Sequence, residues 1–262
     1  MAVFDIINVV EITYRKIWEE RLYLAKMAAF PFLVNLACFT LLMTYAKDES
    51  DWMRSIILLP AFFLQGWLLT HWARTIMTGG AHRWPFRFSG NQKKDMMEIT
   101  ARSRGIMAGT IMYTLINFLI HGYLAFLTPY IPQEITPQAS EDPRLAVVGL
   151  VMMVSSVLLF RFIWLYIPLS VNYPLGDVLK KLQPMSLTFR LIGLWLICIV
   201  PAMLALMLLG ETVSSFTQEG DANAMARTVF LVFQLMIDLI KDLICTAGIA
   251  VAFLFIMKDK TS

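Results

Sequence analysis

Six stretches of this chain, approximately 27–46, 55–73, 106–127, 145–168, 191–210 and 228–257, are long, apolar and almost free of charge. A bilayer core of ~30 Å is crossed by about 20 apolar residues of helix. Every backbone amide in hydrocarbon must be paired within its own segment, and runs of this length without two-residue alternation achieve that as helices. The expected fold is all-α, a polytopic membrane bundle of six transmembrane helices forming one transmembrane domain over 1–262. Composition agrees: 58% of the 262 residues are hydrophobic and 16% charged, where a soluble globule carries about 45–50% and about 25%. That balance excludes a soluble enzyme, a secreted disulfide scaffold and a disordered regulator. The segments between the runs are too short to fold alone.

Charge is distributed unevenly between alternate connections. With the N-terminus cytoplasmic, the inner segments hold sixteen Lys and Arg, and the outer loops hold only Lys47, Arg54, Arg144 and Arg227 beside nine acids. Lys/Arg bias over short loops sets topology, so both termini are expected in the cytoplasm of a bacterial cell, with the chain in its inner membrane. Arg15, Lys16, Lys93, Lys94, Lys180, Lys181 and Arg190 are the expected headgroup contacts. The basic residues are thereby accounted for by topology and anionic lipid, not nucleic acid. The partner implied first is the phospholipid bilayer, with a protein partner in the membrane as the other candidate. No cleavable signal is expected, because a mixed-charge stretch precedes the first apolar run. Cys38, Cys198 and Cys245 fall inside apolar runs without a C-x-x-C pair and read as small core residues.

Thr13-Tyr14-Arg15, Thr100-Ala101-Arg102 and Thr188-Phe189-Arg190 repeat Thr-x-Arg at intervals of 87 and 88. Aromatic-Pro pairs, Trp84-Pro85 and Tyr173-Pro174, precede the second and third copies. This predicts internal repeats over about 1–87, 88–175 and 176–262, each an amphipathic cytoplasmic segment followed by a transmembrane hairpin. In the first, Ile7, Val10, Tyr14 and Ile17 form an apolar face opposite Asn8, Glu11, Arg15 and Glu19, suited to lying along headgroups. In the third, Leu175, Val178, Leu179 and Leu182 play that part. The middle segment, Gln92 to Arg104, is the least amphipathic.

Charged residues within membrane runs are costly and are functional candidates by default. Asp238, Lys241 and Asp242 share one helix face and form a candidate polar intramembrane cluster for an ion or polar substrate. The run 228–257 is 30 residues, longer than the roughly 20 a bilayer needs. A second reading therefore makes 228–237 an outer amphipathic or re-entrant piece, with the cluster marking the interface. Arg74 and Arg161, 87 residues apart, are expected at the membrane border, their long side chains snorkelling to headgroups. His71 and His121 fall at opposite ends of their runs and cannot share a metal, and His82 lies in a connection. Gly79-Gly80 reads as a turn at a helix end. Ser155 and Ser156 lack a general base. No catalytic residue, cofactor or metal site is expected.

The basic amphipathic stretch Val178-Leu-Lys-Lys-Leu-Gln-Pro-Met-Ser-Leu-Thr-Phe-Arg190, followed by Leu191-Ile-Gly-Leu-Trp195, resembles bacterial six-helix inner-membrane proteins of the YciC type. It is also similar to the membrane domain attached to some glycerophosphodiester phosphodiesterases. The resemblance is strongest over roughly 170–210, and it implies an inner-membrane protein with no catalytic motif. Mitochondrial solute carriers share only the three-hairpin count, since their P-x-[DE]-x-x-[KR] signature is missing. Two functions are expected: a lipid- or partner-binding assembly, organising or membrane-homeostasis factor, or a transporter or permease subunit. An organising factor requires an open apolar flank, whereas a transporter requires polar groups lining a path near mid-membrane.

Overall fold

The computed structural model describes residues 4–45, 51–80, 92–127, 143–216 and 223–258, and every element among them is a helix. In chain order these are α1 (Ile6–Glu19), α2 (Arg21–Tyr45), α3 (Asp51–Ile57), α4 (Leu59–Met77), α5 (Gln92–Leu127), α6 (Pro143–Ile163), α7 (Tyr166–Ser170), α8 (Leu175–Leu182), α9 (Met185–Phe216) and α10 (Asn223–Lys258). Five segments are long and apolar enough to cross a membrane: Arg21–Tyr45, Gln92–Tyr123, Gly149–Ser170, Met185–Gly210 and Val229–Met257.

The expected run 55–73 divides at Leu58 into α3 and α4, and α4 falls outside that set of five. Its 19 residues include Gln65, Thr70, His71, Arg74 and Thr75. The physical reason is position. From Leu68 to Ile76 every residue of α4 is buried, screened by α2, α5, α7 and α10. A helix shielded by other helices need not present an apolar surface to hydrocarbon. The C-terminal half of α10 is buried in the same way, whereas α6 and α9 expose rows of aliphatic side chains.

Asp5 caps α1, its carboxylate accepting the Ile7 amide at 3.0 Å. The buried centre of α1 is Val9 and Thr13, and the Thr13 hydroxyl donates back to the Val9 carbonyl at 2.7 Å, hiding its polarity within the helix. Ile7, expected on the apolar face, is 77% exposed. The stripe is rotated because α1 docks on α9 and α10 instead of lying free along headgroups. These three helices meet at Gly248, where an added Cβ would stand 3.0 Å from Cys198 Sγ and 3.6 Å from Thr13 Oγ1.

Helix α5 runs unbroken for 36 residues, so the surface segment expected over Gln92 to Arg104 is continuous with its membrane run. Helix α10 is also a single 36-residue helix, so residues 228–237 continue it without the re-entrant break of the second reading. The run 145–168, expected as one helix, turns at Trp164 and Leu165. Past that turn, α7 enters the core against α4, α5 and α10 with Tyr166, Ile167, Pro168 and Ser170 buried, while α6 stays at the periphery with α9 as its main neighbour. Gly79 and Gly80 end α4 with φ of 66° and 81°, the left-handed conformation that glycine tolerates.

The three Thr-x-Arg positions occupy different environments. Thr13 and Thr188 are buried and Thr100 is exposed; Arg15 is exposed and Arg102 is buried. The first surface segment is its own helix, the second merges into α5, and the third is α8. Trp84-Pro85 and much of the outer loops expected between the runs, at 47–54, 128–144 and 211–227, lie outside the described residues, while α3 and the ends of α6, α9 and α10 take up the rest.

Candidate functional site

Two polar constellations lie within the bundle. In the first, α10 places Asp238, Lys241 and Asp242 on one face, as their spacing predicts. The Lys241 ammonium donates to Asp238 Oδ1 at 2.9 Å and stands 3.6 Å from Asp242 Oδ1. From α4, Gln65 Nε2 donates to Asp242 Oδ2 at 2.5 Å, tying the two helices together. One turn further along α10, Thr246 and Tyr166 hydroxyls are 2.7 Å apart, and Tyr113 meets Tyr166 edge-on at 5.3 Å between ring centroids. The cluster is thus embedded in a continuous helix and engaged with α4. Gln65, Thr246 and Tyr166 were not singled out by the sequence; Gln65 was the one polar amide in its run and the available signal.

The second constellation is at the opposite end of α4. Arg102 of α5 lies with Nη2 2.8 Å from His71 Nε2. A guanidinium only donates, so His71 presents its Nε2 lone pair and a ring proton sits on Nδ1; Nδ1 is buried without a partner. Arg74, 7% exposed, donates through Nη1 to the Ser170 carbonyl at the end of α7. Glu98 acts favourably on both guanidiniums, and Asp95 is buried one turn before it. Arg74 is therefore buried within the bundle with a protein partner, where a side chain snorkelling to headgroups was expected. Burial is the reason, since α5 and α7 close over it.

The other basic residues at this end largely serve helix termini. Arg161 Nη1 donates to the Leu182 and Gln183 carbonyls, both at 3.2 Å, at the end of α8. Lys181 Nζ donates to the Ile256 and Met257 carbonyls near the end of α10, at 3.2 and 3.3 Å. Arg190 Nη1 donates to the Phe4 carbonyl at 3.4 Å, and Arg21 Nη1 to the Trp18 carbonyl at 2.7 Å, closing α1. The last carbonyls of a helix lack intrahelical partners and carry partial negative charge, which Arg161, Lys181 and Arg21 meet; Arg190 instead ties the residue before the Asp5 cap of α1 to α9. Arg161, Lys181 and Arg190 thus have protein partners where headgroups or snorkelling were expected. Arg15, Lys93, Lys94 and Lys180 remain exposed, and Lys16 is partly so. Lys93, Lys94, Met97 and Glu98 line an open depression at the start of α5.

Tyr14 on α1 keeps its hydroxyl buried without a partner, and burial raises its pKa, with the Cys198 and Cys245 thiols adding in the same direction. The three cysteines are buried and free. Among the described residues no three or more His, Cys, Asp and Glu side chains are grouped to hold a metal. His121 Nδ1 donates to the Asn117 carbonyl at 2.9 Å and its ring lies tilted against Phe62, 4.8 Å between centroids. His82 lies outside the described residues. Ser155 Oγ donates to the Met152 carbonyl at 3.1 Å and lies 2.8 Å from the Tyr123 hydroxyl.

Helix α6 differs from its neighbours. From Val147 to Leu159 no described residue is buried. Val147, Leu150, Val151, Met153, Val154, Leu158 and Leu159 are all exposed, and at about 3.6 residues per turn these positions cover roughly two-thirds of the helix circumference. It is held by Tyr123 against Ser155 in its second half, and by Phe160 packed edge-on to Trp164 and Trp195 near its end. The chain matches no protein-family model, no curated protein and no solved structure.

Proposed function

We propose that this chain is a non-enzymatic, six-span protein of the bacterial inner membrane that binds lipid or a membrane partner along its α6 flank, as an organising or homeostasis factor. The observation that carries this reading is that no described residue of α6 between Val147 and Leu159 is buried, next to a core that is closely packed. In that core an added Cβ at Gly105 would meet the Ser170 carbonyl oxygen at 2.3 Å, and one at Gly109 the Tyr166 carbonyl oxygen at 2.8 Å. Small residues allowing such close approach are a means of associating helices where lipid supplies no hydrophobic drive. A rigid core beside a loosely held apolar helix is suited to lateral binding.

The sixth span in this reading is α4, with its polar residues sheltered by protein. The orientation rests on the Lys/Arg asymmetry, both termini inside. The likeness over roughly 170–210 to YciC-type proteins belongs to the same reading. Ser155 engages Tyr123 and a carbonyl, and His71 engages Arg102, which fits a binding role better than catalysis.

A photoreactive residue replacing Val151 or Leu158 tests the flank: irradiation in membranes is expected to yield a discrete lipid or protein adduct above that given by Phe30, an exposed residue of α2. Equal, diffuse labelling at all three positions counts against a binding flank. For orientation, Lys93→Cys is expected to resist an impermeant maleimide applied to intact spheroplasts and to react once they are opened.

The transporter reading is favoured by one observation, the ion-paired cluster that joins α10 to Gln65. In that reading Asp238, Lys241 and Asp242 contact the cargo, and Asp238→Asn with Asp242→Asn abolishes flux in proteoliposomes without loss of folding.

A further inference from the structure

The first turns of α5 form a polar arm at the basic end of the bundle. From 92 to 100 only Asp95 is buried, and Lys93, Lys94, Met96 and Met97 are exposed. A helix end this short is marginal in water without tertiary support, so its order depends on how the next turn is anchored. Three contacts hold that turn. Asn172, just past α7, donates through Nδ2 to the Ala101 carbonyl at 2.8 Å. Arg102 lies against His71, and Gly105 packs on the Ser170 carbonyl that Arg74 also engages. Of the groups in these contacts, only the imidazole changes charge near neutral pH.

The geometry holds His71 without a charge, because Nε2 must keep its lone pair for Arg102 Nη2 at 2.8 Å. A proton on Nε2 turns the acceptor into a second donor, N–H against N–H. It also sets an imidazolium against a guanidinium that does not give up its own charge. Arg74, one turn further along α4, acts on the ring with the same sign as Arg102. Glu98 of α5 acts on the two guanidiniums, with Asp95 one turn before it, and Tyr23 of α2 acts on Arg102. Helix α7 brings the Ser170 carbonyl and the Tyr166 hydroxyl, the latter joined to Thr246 of α10. The charged groups of α10 meet α4 at Gln65, about 9 Å along the helix from His71, and Cys245 of α10 lies with Cys198 and Tyr14. Closed, the contact has no place for the second ring proton. Opened, the ring takes one from water at about pH 6.5, as a free imidazole does. A group that gains its proton only on opening leaves the closed form fully favoured above that pH. Below it, the opening equilibrium rises by about tenfold for each pH unit.

We propose that the His71–Arg102 contact is a proton-operated latch: acidification on the basic side protonates His71 and frees residues 92–100 of α5, with Lys93 and Lys94, from the bundle. This is independent of the α6 flank and adds a regulatory element to the basic surface. The experiment is amide hydrogen exchange of the full chain in lipid nanodiscs between about pH 7.5 and about pH 5, corrected for the intrinsic rate at each pH. Residues 92–104 are expected to open about tenfold more for each pH unit below about 6, the slope of one proton. Residues 249–253, in the buried part of α10, are expected to stay protected. His71→Gln keeps an acceptor for Arg102 but does not titrate, and is expected to leave the arm protected with no slope. Arg102→Met removes the latch from the other side, and its arm is expected to exchange fast already near pH 7.5, with little further rise. Circular dichroism identifies a variant that misfolds, and the wild-type slope stands as a test without variants. A flat wild-type profile overturns the latch. A slope that survives in His71→Gln puts the proton on another group and overturns the assignment to His71. A rise shared by residues 249–253 is loosening of the whole bundle and overturns a local release, as does an arm that stays protected in Arg102→Met.

Discussion

Arg102 and His71 face each other across the α4–α5 contact, Nη2 to Nε2 at 2.8 Å, 5% and 2% exposed. The arrangement gives the buried guanidinium a neutral acceptor and fixes which ring nitrogen is free. Removing the acceptor leaves a charged donor short of a partner in a dry contact. His71→Leu is expected to lower stability by about 2 kcal/mol, within the range for hydrogen bonds to charged groups. The double variant His71→Leu with Arg102→Met is expected to lose less than the two single losses combined, because residues in one network couple. Thermal unfolding of the four proteins in one detergent checks this; strict additivity removes the coupling.

The glycines of α5 give a sharper contrast. A methyl group at Gly105 has the Ser170 carbonyl oxygen at 2.3 Å and the Arg74 guanidinium at 2.9 Å, both in backbone-defined or buried surroundings. At Gly149 of α6 nothing lies within 4 Å. Gly105→Ala is expected to destabilise by about 1–3 kcal/mol through overpacking. Gly149→Ala is expected to be neutral or to stabilise by up to about 1 kcal/mol through helix propensity. Detergent-denaturation midpoints measured side by side decide the matter, and similar midpoints for both variants contradict the described packing of α5 on α7.

These contacts mark where sequence reasoning reaches its limit. Length and hydropathy are local properties, so the helical runs were legible. The spacing of Asp238, Lys241 and Asp242 is also local, and the shared face was legible. Gln65 meets Asp242 across 177 residues of sequence and His71 meets Arg102 across 31, which no periodicity encodes. The polar residues of α4 carried a readable signal that this run is sheltered, yet only tertiary neighbours distinguish an interior helix from a weak one. In α1, Ile6, Ile7, Val9 and Val10 offer two overlapping apolar faces, and docking on α9 and α10 selects the one centred on Val9. The turn at Trp164 and Leu165, which sets the position of α6, did carry a signal: Pro168 four residues on has no N–H to give the Trp164 carbonyl, and its ring crowds that carbonyl.

The carbonyl contacts at the basic end predict a difference between arginine and lysine. Arg161 reaches two carbonyls at once, those of Leu182 and Gln183, from a single nitrogen. Arg161→Lys retains charge near the end of α8 and is expected to cost less than about 1 kcal/mol, whereas Arg161→Met removes the donor and is expected to cost about 1–2 kcal/mol. Amide exchange over Leu175–Leu182 is the local readout, rising in Arg161→Met first. Protection unchanged in Arg161→Met means that α8 is held by Val178 and Leu182 packing alone.

The ion-paired cluster on α10 allows the order of three substitutions to be derived from charge. Lys241 is the only cation among two carboxylates, with Asp238 at 2.9 Å and Asp242 at 3.6 Å. Lys241→Met leaves both carboxylates without it, and only Asp242 retains Gln65. Asp238→Asn leaves Lys241 matched to Asp242, one charge against one. Lys241→Met is therefore expected to be the most destabilising, by about 3 kcal/mol at the low end for breaking a buried pair. The part-exposed setting of the side chains argues against more. Asp238→Asn is expected to be near neutral. Combining Lys241→Met with Asp242→Asn removes one of the stranded charges, and the amide still meets Gln65, so part of the Lys241→Met loss is recovered. Thermal midpoints of the three variants in the same detergent provide the ranking. If Asp238→Asn proves as damaging as Lys241→Met, Asp238 is held by something other than Lys241, and the shared-ammonium arrangement does not govern the stability of this helix pair.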